Sequence, residues 1–174
     1  LKIIETERLT LRWLEPEDAE FILELLNDPT WIQFIGDRGI RTIEDARNYI
    51  VNGPMEMYER LGFGLFLTEL KEKKVPIGIC GLIKREGLDD ADIGFAFVSR
   101  YQAAGYGFEA ASATLKYGYE KLGLKRIVAI TSKDNEASSK LLEKIGMTFE
   151  GHITLPNDKE ELKLFGYGDS PPAK

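Results

Sequence analysis

The segment of this chain whose residue types and spacing best suit chemistry is Gln102-Ala103-Ala104-Gly105-Tyr106-Gly107. An apolar stretch from Ile93 to Val98 runs into it. Behind it Phe108, Ala111, Leu115, Tyr119 and Leu122 recur at the three- and four-residue spacing of an amphipathic helix. A strand that turns on glycines into a helix leaves unpaired backbone N–H groups at the positive helix end, and these suit a phosphate or pyrophosphate. Gly105 and Gly107 carry no side chain to hold an anion away. The turn itself has no Lys or Arg, so its amides must supply most of the attraction. The plainer alternative is a strand-to-helix turn that needs glycine only for its backbone angles.

Two phosphate patterns can be tested against the flanking residues. Gly105-Tyr106-Gly107-Phe108-Glu109-Ala110 satisfies the dinucleotide fingerprint G-x-G-x-x-A. That pattern expects an acid about 20 residues on to hold a ribose. Here the region reads Lys125 to Ser132 with no acid before Asp134. A P-loop is excluded because no Gly-Lys-Ser or Gly-Lys-Thr occurs.

Other chemically capable residues read as structural. Cys80 sits between Ile79 and Gly81 on an apolar run and should be packed and inert. His152 has no acid or serine pattern beside it. Glu109 falls in a first helical turn, where a negative charge stabilises the helix but repels a phosphate. One cysteine cannot form an internal disulfide, which fits a reducing compartment, and with one histidine it leaves no zinc cluster, so no metal is expected. The net charge of −6 opposes a broad nucleic-acid-binding face and suits a cationic or amine-bearing partner. No window holds the roughly 18 apolar residues of a membrane span, and the start lacks the pattern of a signal peptide. A cytoplasmic protein is the expectation.

The elements that must position the turn follow from patterning. Arg8 to Trp13 alternates polar and apolar residues, as a half-buried strand does. Pro16-Glu17-Asp18 opens a helix carrying Phe21, Ile22, Leu25 and Leu26, and Thr42 opens a second carrying Ala46, Tyr49 and Ile50. Gly62 to Leu70 and Val75 to Lys84 read as a hairpin with the charged tip Lys71 to Lys74, followed by a strand through Asp92 to Val98. Past the turn come a helix from about Phe108 to Leu122, a strand over 126–131, a helix over 135–145 closed by Gly146, and strands over 147–153 and 161–165. The expectation is one mixed α/β domain over residues 1–166, with a frayed tail over 167–174 and no linker or repeat.

These motifs together resemble the GNAT acetyltransferases. Gln102 to Gly107 matches that family's Q/R-x-x-G-x-G/A motif, and Asn135-Glu136-Ala137-Ser138 with Glu143-Lys144-Ile145-Gly146-Met147 is similar to its second motif. Glu5 to Arg12 resembles the opening strand of the ribosomal-protein N-terminal acetyltransferase (Rim) branch. Pro76-Ile77-Gly78 and Asp92-Ile93-Gly94-Phe95 resemble two of its later strands. The match spans nearly the whole chain in order. It implies a mixed sheet of six to seven strands, with a splayed parallel pair and about four helices.

The resemblance also implies roles. Acetyl-CoA would lie between the strands Ile93–Val98 and Arg126–Thr131. The backbone of Phe97, Val98 and Ser99 would pair with its pantetheine amides, and an N–H near Phe97 would serve the oxyanion. Amides of Gln102, Ala103, Ala104, Gly105, Tyr106, Gly107 and Phe108 would hold the pyrophosphate, and Asn135 the pantetheine arm. Asp92 stands where the family often has Glu and is the candidate base; a solvated strand residue is the alternative. The thiolate's proton donor is a tyrosine in many relatives, but the corresponding position here is Leu142. Ser138, one turn earlier, is the better placed donor unless its hydroxyl bonds its own helix, and Tyr106 is a further candidate. Trp31, Phe34 and Tyr49 are candidates for the acceptor lining or for plain core. The implied activity is acetylation of a primary amine, either a protein N-terminus or a small molecule, by a monomer or homodimer. A non-catalytic acetyl-CoA sensor and a nicotinamide-dependent enzyme are the alternatives.

Overall fold

The computed structural model describes residues 1–169. Eight strands form one sheet in the order β1-β2-β3-β4-β5-β6-β8-β7, antiparallel throughout except where β5 meets β6. The strands are β1 (Lys2–Glu5), β2 (Leu9–Arg12), β3 (Leu65–Leu70), β4 (Val75–Ile83), β5 (Asp92–Phe97), β6 (Arg126–Ser132), β7 (Thr148–Ile153) and β8 (Leu162–Gly168). The helices are α1 (Ala19–Leu26), α2 (Pro29–Phe34), α3 (Ile43–Ile50), α4 (Glu56–Leu61), α5 (Tyr106–Glu120) and α6 (Glu136–Lys144). The mixed fold with a parallel pair agrees with expectation, but the described residues hold eight strands and six α-helices rather than six to seven and about four.

Side-chain alternation along the strands builds a core on each face of the sheet. On one, Phe66, Cys80, Leu82, Ile93, Ile127, Ala129 and Phe165 meet Ala110, Ala111 and Leu115 of α5, Leu142 of α6 and its C-cap Ile145. On the other, Leu67, Ile79 and Val98 meet Ile22, Leu25 and Leu26 of α1, Trp31 of α2, and Ala46 and Ile50 of α3. Gly118 lets α5 approach the sheet closely, since a Cβ there would stand 2.8 Å from both Leu82 and Ile127.

The extra elements have local causes. The opening strand is two strands, because Thr6 N–H donates to Leu9 O (2.9 Å) and Leu9 N–H to Thr6 Oγ1 (3.0 Å), which closes a turn between β1 and β2. α4 follows a π-helical turn over Val51–Met55 that accommodates Pro54, and it ends at Gly62 with φ of 80°. That helix end delays β3 to Leu65. Thr42 caps α3 through Asp45 N–H (3.0 Å), as its position suggested. β8 runs through Gly168, with Tyr167 opposite Ile127 and Gly168 opposite Arg126, so the sheet extends past 166 into the stretch read as a tail. Residues 170–174 of that stretch lie outside the described residues.

Candidate active site

β5 and β6 meet in register at one point, Asp92 opposite Val128, with Val128 N–H donating to Ala91 O at 3.0 Å. Beyond it β5 stays with β4 and β6 stays with β8 over all seven residues. The two parallel strands therefore open into a V. Asp92 lies at the apex, and the turn after β5 lies at the mouth.

Hydrogen-bond parity decides which groups line the opening. Val98 N–H donates to Ile77 O across β4 (3.0 Å), so Ala96, Gly94 and Asp92 also direct their backbone toward β4. The N–H groups of Phe95 and Phe97 consequently face the gap. This corrects two expected contacts. Val98 N–H is taken by β4, and Ser99 N–H is taken by Asp28 Oδ2 (2.9 Å), with Ser99 Oγ on Asp28 Oδ1 (2.7 Å). Ser99 thereby ties the start of α2 to the mouth of the V instead of offering its amide to a ligand. Phe95, quoted above only as part of a strand motif, presents the gap-facing N–H that Val98 lacks. Strict alternation from Phe97 was the signal available for it.

At the mouth, Gln102 donates its side-chain Nε2 to Phe97 O (2.8 Å), which folds the turn back on the strand end. Ala103 (φ 62°) and Gly105 (φ 84°) both take left-handed backbone, and Gly105 is the N-cap of α5 without any side-chain cap bond. α5 thus begins at Tyr106, two residues earlier than its apolar stripe suggested. The first intrahelical donor across the cap is Glu109 N–H to Gly105 O (3.1 Å), so the amides from Ala103 to Phe108 remain open to an anion, whereas Gln102 N–H is taken by Ser99 O (3.2 Å), which corrects its expected pyrophosphate contact. At Gly107 a Cβ would find only ordinary contacts, 3.4 Å from Leu141 of α6 and 3.6 Å from Phe97, so packing alone does not call for glycine there.

A cation also reaches the turn, from a place that local reading missed. Arg8, at the entry to β2, donates to Ala104 O (3.2 Å) and lies over the Tyr106 ring (4.3 Å). Its Nε donates to Glu109 Oε1 (2.7 Å), while Glu109 Oε2 accepts from Thr6 Oγ1 (2.5 Å) and Arg8 N–H (2.9 Å). Glu109 therefore anchors Arg8 beside the turn. A groove of about 490 Å³ opens there, lined in part by Arg8, Gly105, Phe108 and Lys116.

Asp92 is 1% exposed, and Arg85 grips both of its oxygens, Nε to Oδ1 at 3.2 Å and Nη2 to Oδ2 at 3.1 Å. Burial pushes its carboxyl up to about 6, against the opposing pull of Arg85 and Lys84. The solvated-residue alternative for Asp92 does not describe this environment. On α6, Asn135 Oδ1 caps Ser138 N–H (3.2 Å). Among the described residues neither the Asn135 amide nitrogen nor Ser138 Oγ makes a hydrogen bond. Leu142 is 1% exposed in the core and offers no proton.

Tyr106 does not join this group. It follows the mouth, whereas Asp92 is at the apex, about 17 Å back along β5 at a strand's rise per residue. Its ring is held by Arg8 and edge-on to Tyr101 (6.4 Å), so it packs at the phosphate end. Trp31 is buried in the core on the α1–α3 face with its indole N–H unpartnered. Phe34 and Tyr49 are half-buried on that face, and burial raises the Tyr49 hydroxyl above its usual range. Cys80 is fully buried against Thr114, its thiol pushed up to about 12, and His152 is exposed on the edge strand β7.

The model of the acetyltransferase (GNAT) domain matches residues 8–148. The chain belongs to the GNAT family. It is 32% identical to the uncharacterized N-acetyltransferase YnaD of Bacillus subtilis, over 85% of this chain and 84% of the relative. A GNAT acetyltransferase structure from Bacillus anthracis is 30% identical over 97% of this chain and 98% of its own, with TM-score 0.78. RimL, a ribosomal L7/L12 α-N-protein acetyltransferase solved with coenzyme A, shares the fold at TM-score 0.82 with 18% identity, covering 97% and 98% of the two chains. The protein is thus an acyl-CoA N-acetyltransferase, and the dinucleotide fingerprint within the turn after β5 is a chance match.

Proposed function

We propose that this enzyme transfers the acetyl group of acetyl-CoA to a primary amine by direct attack in a ternary complex. One observation carries the reading: a V between β5 and β6 with free strand amides along it, open helix amides at its mouth and a buried carboxylate at its apex. The amides from Ala103 to Phe108 would hold the pyrophosphate with Arg8 alongside. The N–H groups of Phe95 and Phe97 would meet the pantetheine arm, and Asn135 would reach it from α6.

Asp92 would take a proton from the acceptor ammonium, directly or through water. The amine nitrogen then attacks the thioester carbon, and an N–H of β5, Phe97 or Phe95, would donate to the oxyanion. Collapse breaks the C–S bond, the nitrogen's second proton would pass through water and the Ser138 hydroxyl to the thiolate so that the hydroxyl is restored, Asp92 would return its proton to solvent, and an amide and free coenzyme A leave. The acceptor is a protein N-terminal α-amine or a small-molecule amine. The first, with pKa about 7.7–8.0, needs less help from a base than a lysine-like amine near 10.4. Trp31, Phe34 and Tyr49 would wall its approach from the α1–α3 face. RimL acts on a ribosomal protein, which supports including the N-terminal class. The same reading places the enzyme in the cytoplasm as a monomer or homodimer.

Thiol release from acetyl-CoA over a panel of amines and short peptides tests this reading. Release with at least one class is expected. Tight acetyl-CoA binding with no release across the panel would replace the enzyme with a sensor.

A further inference from the structure

We propose that Arg85 is a removable cap on Asp92, and that the cationic amine of the acceptor displaces it, charge for charge, to reach the base. The inference rests on the role given to Asp92 above and adds what must happen before that role can begin. It starts from a conflict in the geometry. Asp92 is 1% exposed and both of its oxygens are committed to one guanidinium, so no acceptor can touch the carboxylate while that pair is closed.

The closing group is built to leave. Arg85 is 34% exposed and lies just past β4, in the connection Lys84 to Ala91 that leads to β5. Asp92 is fixed in the sheet, paired with Ile83 on β4 and Val128 on β6, so the arginine is the mobile partner. Its guanidinium presents a positive charge with N–H donors on Asp92, which is what a primary ammonium would present in its place. Neutral or anionic acceptors offer no such exchange and would leave a buried charge uncompensated.

The charges bearing on Asp92 are few. Arg85 and Lys84 act from the same connection, and Lys84 is held by the Leu88 carbonyl. The strands on either side bring the apolar Ile83 and Val128 into register with it. Asp90, two residues earlier, is bound to Arg126 of β6 (3.1 Å), which Glu150 of β7 shares (2.6 Å), so this neighbouring cluster keeps a net negative charge and offers Asp92 no counter-ion. Removing Arg85 therefore removes the chief ionic restraint on the acid.

Displacement makes a prediction that static positioning does not. The pH profile of kcat/KM reports the free enzyme, and that of kcat reports the ternary complex. In wild type the guanidinium sits on Asp92 only in the former. For Arg85→Ala, the acidic limb of kcat/KM should move up by about one pH unit or more, while the acidic limb of kcat should stay within about 0.3 of wild type. Arg85→Lys, keeping one positive charge, should fall between.

The acceptor used is the best amine from a panel of an alkyl diamine, an amino-acid amide and a free-N-terminus peptide. Acetyl-CoA binding by calorimetry and the melting temperature confirm that each variant is folded and loaded. Limbs that move together show Arg85 staying on Asp92 through the cycle, and limbs that do not move show a structural ion pair; either outcome overturns displacement alone. No thiol release from any amine by the loaded wild type overturns the transferase mechanism itself and this inference with it.

Discussion

Replacing Asp92 with Asn should make this protein more stable and less active at once, and both sizes follow from one buried carboxyl. Burial lifts Asp92 from 3.8 to about 6. The folded state thus binds this proton more tightly than the unfolded chain does, so stability falls as pH rises between about 4 and 6. Above 6 the full cost applies, on the order of 3 kcal/mol. Asn keeps the shape and one acceptor for Arg85 but cannot ionise. Arg85 loses its counter-ion yet is a third exposed, so water recovers part of that loss, and a net gain of about 1 kcal/mol is expected. For a chain of this size that is about 2–4 °C in Tm. The gap between variant and wild type should be absent or reversed near pH 4 and should open by pH 7. In the same variant kcat should drop by about 10²–10⁴, the range for a lost general base, with acetyl-CoA affinity unchanged. Turnover by the Asn variant that retains the wild-type acidic limb near pH 6 would remove Asp92 from the mechanism. A Tm difference independent of pH would refute the buried ionised carboxylate.

Gly105→Glu places an anion and a strained left-handed backbone at the mouth, so acetyl-CoA binding by calorimetry should weaken by about 100-fold or more while Tm changes little. Arg8→Ala should raise the KM for acetyl-CoA by about 5–10-fold with kcat nearly intact, and the affinity should lose part of its salt dependence. An unchanged KM would make Arg8 a purely structural tie. Ser138→Ala should lower kcat by about tenfold near neutrality, with the deficit shrinking above pH 8.5, where a thiolate no longer needs protonation to leave. A deficit constant with pH would assign Ser138 to binding instead.

Local chemistry was legible in the sequence. The glycine turn into α5, the Thr42 cap, the buried Cys80 and the α6 entry at Asn135 depend on residues within a few positions of one another, and patterning reads such neighbourhoods well. What stayed hidden was assembled across the chain. Arg8 is about a hundred residues from the turn it serves, and only the β1–β2 turn meeting the first turn of α5 brings them together. Glu109 was read as a helix-end acid unsuited to phosphate; its purpose is to hold that arginine. Asp92 could be placed on a strand but not paired, because Arg85 lies in an irregular connection that carries no periodic signal. Ser99 was assigned a ligand contact that Asp28 already occupies from α2. α4 escaped notice because Pro54 interrupts the helical pattern just before it.

The V itself shows how a binding site can be written as a shortage of partners. β5 spends half of its backbone groups on β4 and β6 spends half of its own on β8, each in unbroken register. Each strand has one remaining edge, and the two edges meet only at Asp92 and Val128. Past that point the N–H groups of Phe95 and Phe97 have no strand opposite. Leaving buried backbone groups unpaired costs about 1–3 kcal/mol each, so such an opening is tolerated only if water or a ligand with matching amides fills it. A pantetheine arm carries two amides at a spacing that lets it act as a short third strand. In the proposed complex the same divergence would open the apex to the acetyl group while Arg85 covers the Asp92 carboxylate. On that proposal cofactor affinity and the guarding of the base would share one geometric origin, the point at which two parallel strands stop pairing. The register with β4 sets the parity of β5, so moving that point along the strand would lengthen or shorten the row of free N–H groups without turning Phe95 and Phe97 away from the gap.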